Sequence, residues 1–105
     1  MSETAEAMWD ANVKGLNVLT PERIEVSYTN DGRSLYELTK GSGMDGTTMY
    51  GVTVLTDGKI DTDRSRLFND GTATKRWLAA AAYVADLRGD SFAAREYIAD
   101  IGALE

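Results

Sequence analysis

Two Asp-Gly pairs do most to decide what this chain can fold into. Asp31-Gly32 and Asp57-Gly58 each follow a stretch in which apolar and polar residues alternate. Asp and Gly tolerate the left-handed backbone that a tight hairpin turn needs. Alternation with a period of two marks a strand with one buried face. Residues from about 23 to 67 are therefore expected to form antiparallel strands joined by short turns.

In the first strand, 23–29, Ile24, Val26 and Tyr28 point one way and Glu25, Ser27 and Thr29 the other. A three-residue loop, Asn30-Asp31-Gly32, sets Ile24 opposite Leu38 and Val26 opposite Tyr36. A two-residue loop would set Val26 opposite Glu37 and bury a carboxylate, so apolar matching favours the three-residue loop. A second strand is expected over 34–40. A third, over 47–55, places Tyr50, Val52 and Val54 on one face. A fourth, over 59–67, is irregular, and its charge density marks a sheet edge.

The period then changes. Asn69-Asp70-Gly71-Thr72 breaks the sheet and caps a helix over 72–87, with the apolar stripe Ala73, Trp77, Ala80, Ala81, Val84 and Leu87. Gly89 ends it and Asp90 caps a second helix over 91–101, whose expected core contacts are Phe92, Tyr97, Ile98 and Ile101. Ahead of the strands, Ala5, Met8, Trp9, Asn12, Val13 and Leu16 predict an N-terminal helix over 3–14. The fold class is α+β, in one domain over 1–105. It is a four-stranded antiparallel meander with an N-terminal helix and two C-terminal helices, in the order α-β-β-β-β-α-α. The helices are expected to cover one sheet face. The other, carrying Glu25, Ser27, Leu35, Glu37 and Thr53, is expected to be solvated or to bind.

Composition removes chemistry. The 105 residues include no Cys and no His. Disulfides, thiolate nucleophiles and Cys-based zinc sites are excluded, as is the side chain that titrates near neutral pH. No nucleophile sits in an activating motif, so no catalytic residue, metal site or cofactor is assigned and a non-enzymatic role is expected. No apolar run reaches 18 residues and the N-terminus is acidic, without the apolar core of a signal peptide. The expected location is the cytoplasm, with no membrane partner. Seventeen acids against 11 bases give a net charge of −6. That balance disfavours direct binding to nucleic acid and suits a partner with a basic surface.

Two motifs imitate known sites. Gly41-Ser42-Gly43-Met44-Asp45-Gly46 matches G-x-G-x-x-G, but a dinucleotide site needs a helix to follow, and a strand follows here. Asp61-Thr62-Asp63 opens like a calcium loop, yet Arg66 and Thr72 hold the places of its Gly and Glu. The dense bases are Arg64 and Arg66, expected on one strand face, and Lys75 and Arg76, in the first turns of a helix. They form an alternative, phosphate-binding set. The candidate partner-binding residues are acids of the terminal helices, Glu3, Glu6, Asp10, Asp86, Asp90, Glu96 and Asp100. Most of the aromatic residues are expected in the core; Tyr83 and Tyr97, at the margins of their helical stripes, are the preferred candidates for exposed anchors.

Meander strands lead into Asp57-Gly58-Lys59, then Arg66-Leu67-Phe68-Asn69-Asp70, then an alanine-rich helix from Thr72 and a short closing helix. As an order of elements over residues 22–101, this resembles small orphan proteins of phages and mobile elements, among them anti-CRISPR proteins. The resemblance implies a non-enzymatic inhibitor that binds a host nucleoprotein complex, in the host cytoplasm, and blocks its target DNA. It carries no diagnostic residue. Three functional expectations stand: a protein-interaction module of this inhibitor kind, a structural subunit that forms homo-oligomers such as a homodimer, and a weak nucleic-acid binder.

Overall fold

The computed structural model describes residues 22–42 and 46–104. The N-terminal helix expected over 3–14 lies outside the described residues. The strands are β1 (Glu22–Tyr28), β2 (Ser34–Ser42), β3 (Thr48–Thr56), β4 (Lys59–Ile60) and β5 (Arg66–Phe68). Two helices follow, α1 (Ala73–Leu87) and α2 (Ser91–Leu104). The class is α+β. The sheet is antiparallel, in the order β1-β2-β3-β4, with β5 also paired to β3.

The single fourth strand expected over 59–67 is two short strands on the same edge of β3. Asp61 separates them. Its carboxylate accepts the backbone N–H groups of Asp63 (3.1 Å) and Arg64 (3.3 Å), which turns the chain away. Ser65 then compensates. Its Oγ accepts the Val54 N–H at 3.0 Å and donates to the Asp61 carbonyl at 2.8 Å, standing in for ladder bonds the chain has left. Arg64 lies in this turn, before β5, so it does not share a strand face with Arg66.

The hairpin register also differs from expectation. Val26 stands opposite Glu37, and Ser27 opposite Tyr36. The loop is four residues long, Asn30 to Arg33, because Thr29 still pairs with Ser34 through its N–H (2.9 Å) and its hydroxyl. Asp31 organises the turn by accepting from the Thr29 hydroxyl and the Arg33 N–H. A one-residue slip moves every side chain of a strand to the opposite face. Val26 and Tyr28 are accordingly exposed on the far side, Ile24 is exposed at the irregularity, and Glu25 and Ser27 turn toward the helices. An irregularity between Arg23 and Glu25 absorbs one residue and shifts the register beyond it.

The core lies between sheet and α1. Tyr36, Leu38, Val52 and Val54 from β2 and β3 meet Ala80 and Val84, all buried. Small side chains at Ala80, Ala81 and Ala85 let α1 approach the sheet closely. The far face is not open as expected: Glu37, Thr39 and Thr53 are buried there, and the Thr39 hydroxyl donates to Glu37 Oε1 at 3.0 Å.

Thr72 caps α1 by accepting the Lys75 N–H. The helix closes in a Schellman turn. Gly89 (φ 77°) donates to the Asp86 carbonyl and Asp90 to the Ala85 carbonyl. Asp90 also caps α2, its Oδ1 accepting the Ala93 N–H at 3.0 Å. With so short a turn, α2 folds back on α1. Among the described residues, its only substantial contacts with another element are with α1, and Ala94 is its one buried residue. Phe92 and Ile98 are therefore exposed rather than core, at 67% and 57%.

Candidate functional site

The β1 register decides what surrounds the groove between the sheet edge and the two helices. With Glu25 turned inward, a cleft of about 200 Å³ opens there. Its floor is Leu38, Ala81, Val84 and Ala85. Trp77 and Tyr97 form aromatic walls, and Glu25, Arg88 and Asp90 stand at the polar rim. An apolar recess with a few convergent polar groups is the usual form of a recognition site.

Each rim group is placed by backbone geometry. Glu25 sits opposite Leu38 in the sheet, and its Oε1 accepts the Tyr36 hydroxyl at 3.0 Å. Burial, and then the Glu25 hydrogen bond and charge, push the Tyr36 hydroxyl pKa up to about 12. Arg88 is the residue that ends α1, and its guanidinium lies 3.8 Å from Glu25 Oε1. Asp90 is held by its capping role. The end of the cleft is pinned where the hairpin loop meets the helix turn: Asn30 donates to the Leu87 carbonyl at 2.8 Å. The Asn30 side chain also lies directly against Gly89. Trp77 is steadied from behind by Tyr50, their rings tilted at 5.4 Å.

Two of the sequence candidates, Asp90 and Tyr97, line this cleft. Glu96 and Asp100 are three residues on from the lining residues Ala93 and Tyr97, so they continue the same stripe of α2, and both are exposed. Asp86 is exposed but projects from the opposite side of α1, near Tyr83. Glu3, Glu6 and Asp10 lie outside the described residues. Tyr83 is not the exposed anchor that its stripe position suggested. It packs against the core, meets Phe68 with the rings tilted and their centroids 6.0 Å apart, and donates its hydroxyl to the Arg64 carbonyl. Sequence reading missed Glu25, Trp77 and Arg88. The helical stripe places Trp77 in the core, and the expected register turns Glu25 away.

The alternative set of bases lies on the other flank of α1. Arg64 pairs with Asp61 at 2.8 Å and donates to the hydroxyls of Ser34 (2.5 Å) and Thr56 (3.1 Å). Its donation holds the Asp61 carboxyl below the ordinary range. Arg66 donates to the carbonyls of Asp63 and Ser65 and lies over the Tyr83 ring at 5.7 Å. Arg76 donates to the Thr48 carbonyl at 2.6 Å. Lys75 and Arg76 do line a second recess, of about 250 Å³, but Asp70 sits in it with them.

No protein-family model, curated protein or solved structure matches this chain. Among the described residues, no helix is long and apolar enough to cross a membrane.

Proposed function

We propose that this chain is a non-enzymatic protein-interaction module that receives a basic surface of its partner along the cleft and the adjoining acids of α2. The observation that carries the reading is the unequal use of charge. Arg64, Arg66 and Arg76 are occupied by oxygens of the chain itself. Glu25, Asp90, Glu96 and Asp100 border or extend an open recess walled by two aromatic side chains. Complementary charge across such a surface speeds encounter and selects the partner. The inhibitor role implied by the resemblance to anti-CRISPR proteins is a special case. The same surface, laid on the nucleic-acid-binding face of a host nucleoprotein, would exclude its DNA.

Fluorescence anisotropy with an arginine-rich and a glutamate-rich decapeptide tests the charge requirement. The basic peptide should bind at low salt and release as salt rises, while the acidic peptide should not bind. Equal binding of both, or salt-indifferent binding of the basic one, would count against the proposal.

A second reading, a homo-oligomer, has its own observation. Among the described residues β1 pairs with β2 alone, and Ile24, Val26 and Tyr28 are 43%, 38% and 66% exposed. An edge strand with uncovered apolar residues is a template for a second strand. Sedimentation over a wide concentration range decides it. Association abolished by Val26→Lys would support this assembly, and a monomer at every concentration removes it.

A further inference from the structure

We infer that the cleft is a receptor for one arginine side chain of the partner, which enters by displacing Arg88 from Glu25. This rests on the interaction-module reading and names the group recognised.

Three features point to that occupant. The floor is apolar, made by Ala81 and its neighbours, so the part of the ligand that lies deepest must be a hydrocarbon stem. The walls are Trp77 and Tyr97, whose ring faces attract a planar cation. The rim carries two carboxylates, Glu25 and Asp90, against the single guanidinium of Arg88. A wholly apolar side chain would leave the net negative charge of the rim uncompensated. An acidic side chain would meet two like charges for one opposite charge. Arginine alone combines a long apolar stem with a flat, delocalised cation that can accept a carboxylate edge-on and an aromatic ring face-on.

Arg88 already rehearses this contact from the rim. Its guanidinium stands 3.8 Å from Glu25 Oε1, too far for a hydrogen bond, and its side chain is 55% exposed. It is attracted to the carboxylate without being fixed there. An incoming arginine approaching along the apolar floor would therefore compete with a weakly held resident. Glu25 itself is fixed, because the Tyr36 hydroxyl donates to it.

The role of Arg88 gives the proposal a sign. If the ligand is a cation, Arg88 is a competitor and its removal strengthens binding. If the ligand is an anion, Arg88 is the receptor and its removal weakens binding. The experiment follows backbone and indole NMR signals while capped arginine amide, capped norleucine amide and capped glutamate amide are titrated into the whole chain. Capped arginine should shift the Trp77 indole and the amides of Ala81 and Ala93. The other two should shift them little. Arg88→Met, which keeps the stem, should tighten arginine binding by about two- to fivefold, the range of one exposed ion pair. Glu25→Gln should weaken it by about fivefold or more. Retention of the wild-type Val52 and Val54 signals, from core residues outside the cleft, would verify that both variants are folded. Tighter binding of norleucine than of arginine, or weaker arginine binding in Arg88→Met, would overturn the inference. If the basic decapeptide binds yet leaves the Trp77 indole unshifted, this inference fails while the interaction-module reading stands. If the decapeptide does not bind at all, both fail.

Discussion

The two flanks of α1 use the same kinds of residue to opposite ends. On one, Arg64, Arg66, Tyr83 and Phe68 are tied together and to the backbone of the β4–β5 connection. On the other, Glu25, Arg88, Trp77 and Tyr97 surround a recess and are joined by little more than one long ion pair. The first flank replaces strand pairing that the chain gives up at Asp61. The second leaves carboxylate and aromatic chemistry available to a partner. An arginine is therefore a structural tie or a displaceable occupant here according to how many oxygens its environment has already committed to it.

Substituting the corresponding arginines separates the flanks most widely. Arg64→Ala removes the donor to Asp61, Ser34 and Thr56 together. It should lower unfolding free energy by about 2 kcal/mol in chemical denaturation. Arg88→Ala breaks only the 3.8 Å pair and should cost less than about 0.5 kcal/mol. Equal losses would erase the distinction between the flanks. Gly89→Ala sharpens the account of how the cleft is held. At φ 77° an alanine is strained, and its Cβ would lie 2.5 Å from the Asn30 side chain. A loss of about 1–2 kcal/mol is expected, with loosening reported by the Asn30 and Leu87 signals. An unchanged melting curve would mean that the hairpin loop does not brace the helix turn.

The smallest effect is in acid. Arg64 holds the Asp61 carboxyl below its ordinary value of 3.8. A depressed folded-state value means the pairing contributes fully above that pH and is lost as pH falls through the lower value. The slope of stability against pH below about 4 should flatten in Arg64→Ala. An acid slope identical to that of the wild type would show that the pair does not titrate with folding.

What the sequence made legible follows the range of the forces involved. Both helices were readable because their signals are local: Thr72 and Asp90 as caps, Gly89 as a stop, alanines along one stripe. The two hairpins were readable from Asp31-Gly32 and Asp57-Gly58. The register of the first was not. Apolar matching argued against placing Val26 opposite Glu37, but Thr29 and Asp31 built a four-residue loop, and the far face buries Glu37 with the Thr39 hydroxyl donating to it. That one parity error hid Glu25, and with it the cleft. The break between β4 and β5 was hidden for a related reason, since side-chain bonds from Asp61 and Ser65 replaced backbone ladder bonds. Phe92 and Ile98 were misread because periodicity shows an apolar face but not whether anything packs on it. Asp90 and Tyr97 were picked out as partner-binding candidates, but only the fold places them beside Trp77 and Arg88.

The central claim is that position, not net charge, makes this surface a receptor for a basic partner. Binding of the arginine-rich decapeptide to two charge-matched double variants tests it most directly. One variant removes cleft charge, Glu25→Gln with Asp90→Asn, which keeps a capping side chain. The other removes exposed acids elsewhere, Asp57→Asn with Asp70→Asn. The account predicts about a tenfold loss of affinity for the first and less than about twofold for the second. Equal losses in the two variants would contradict it.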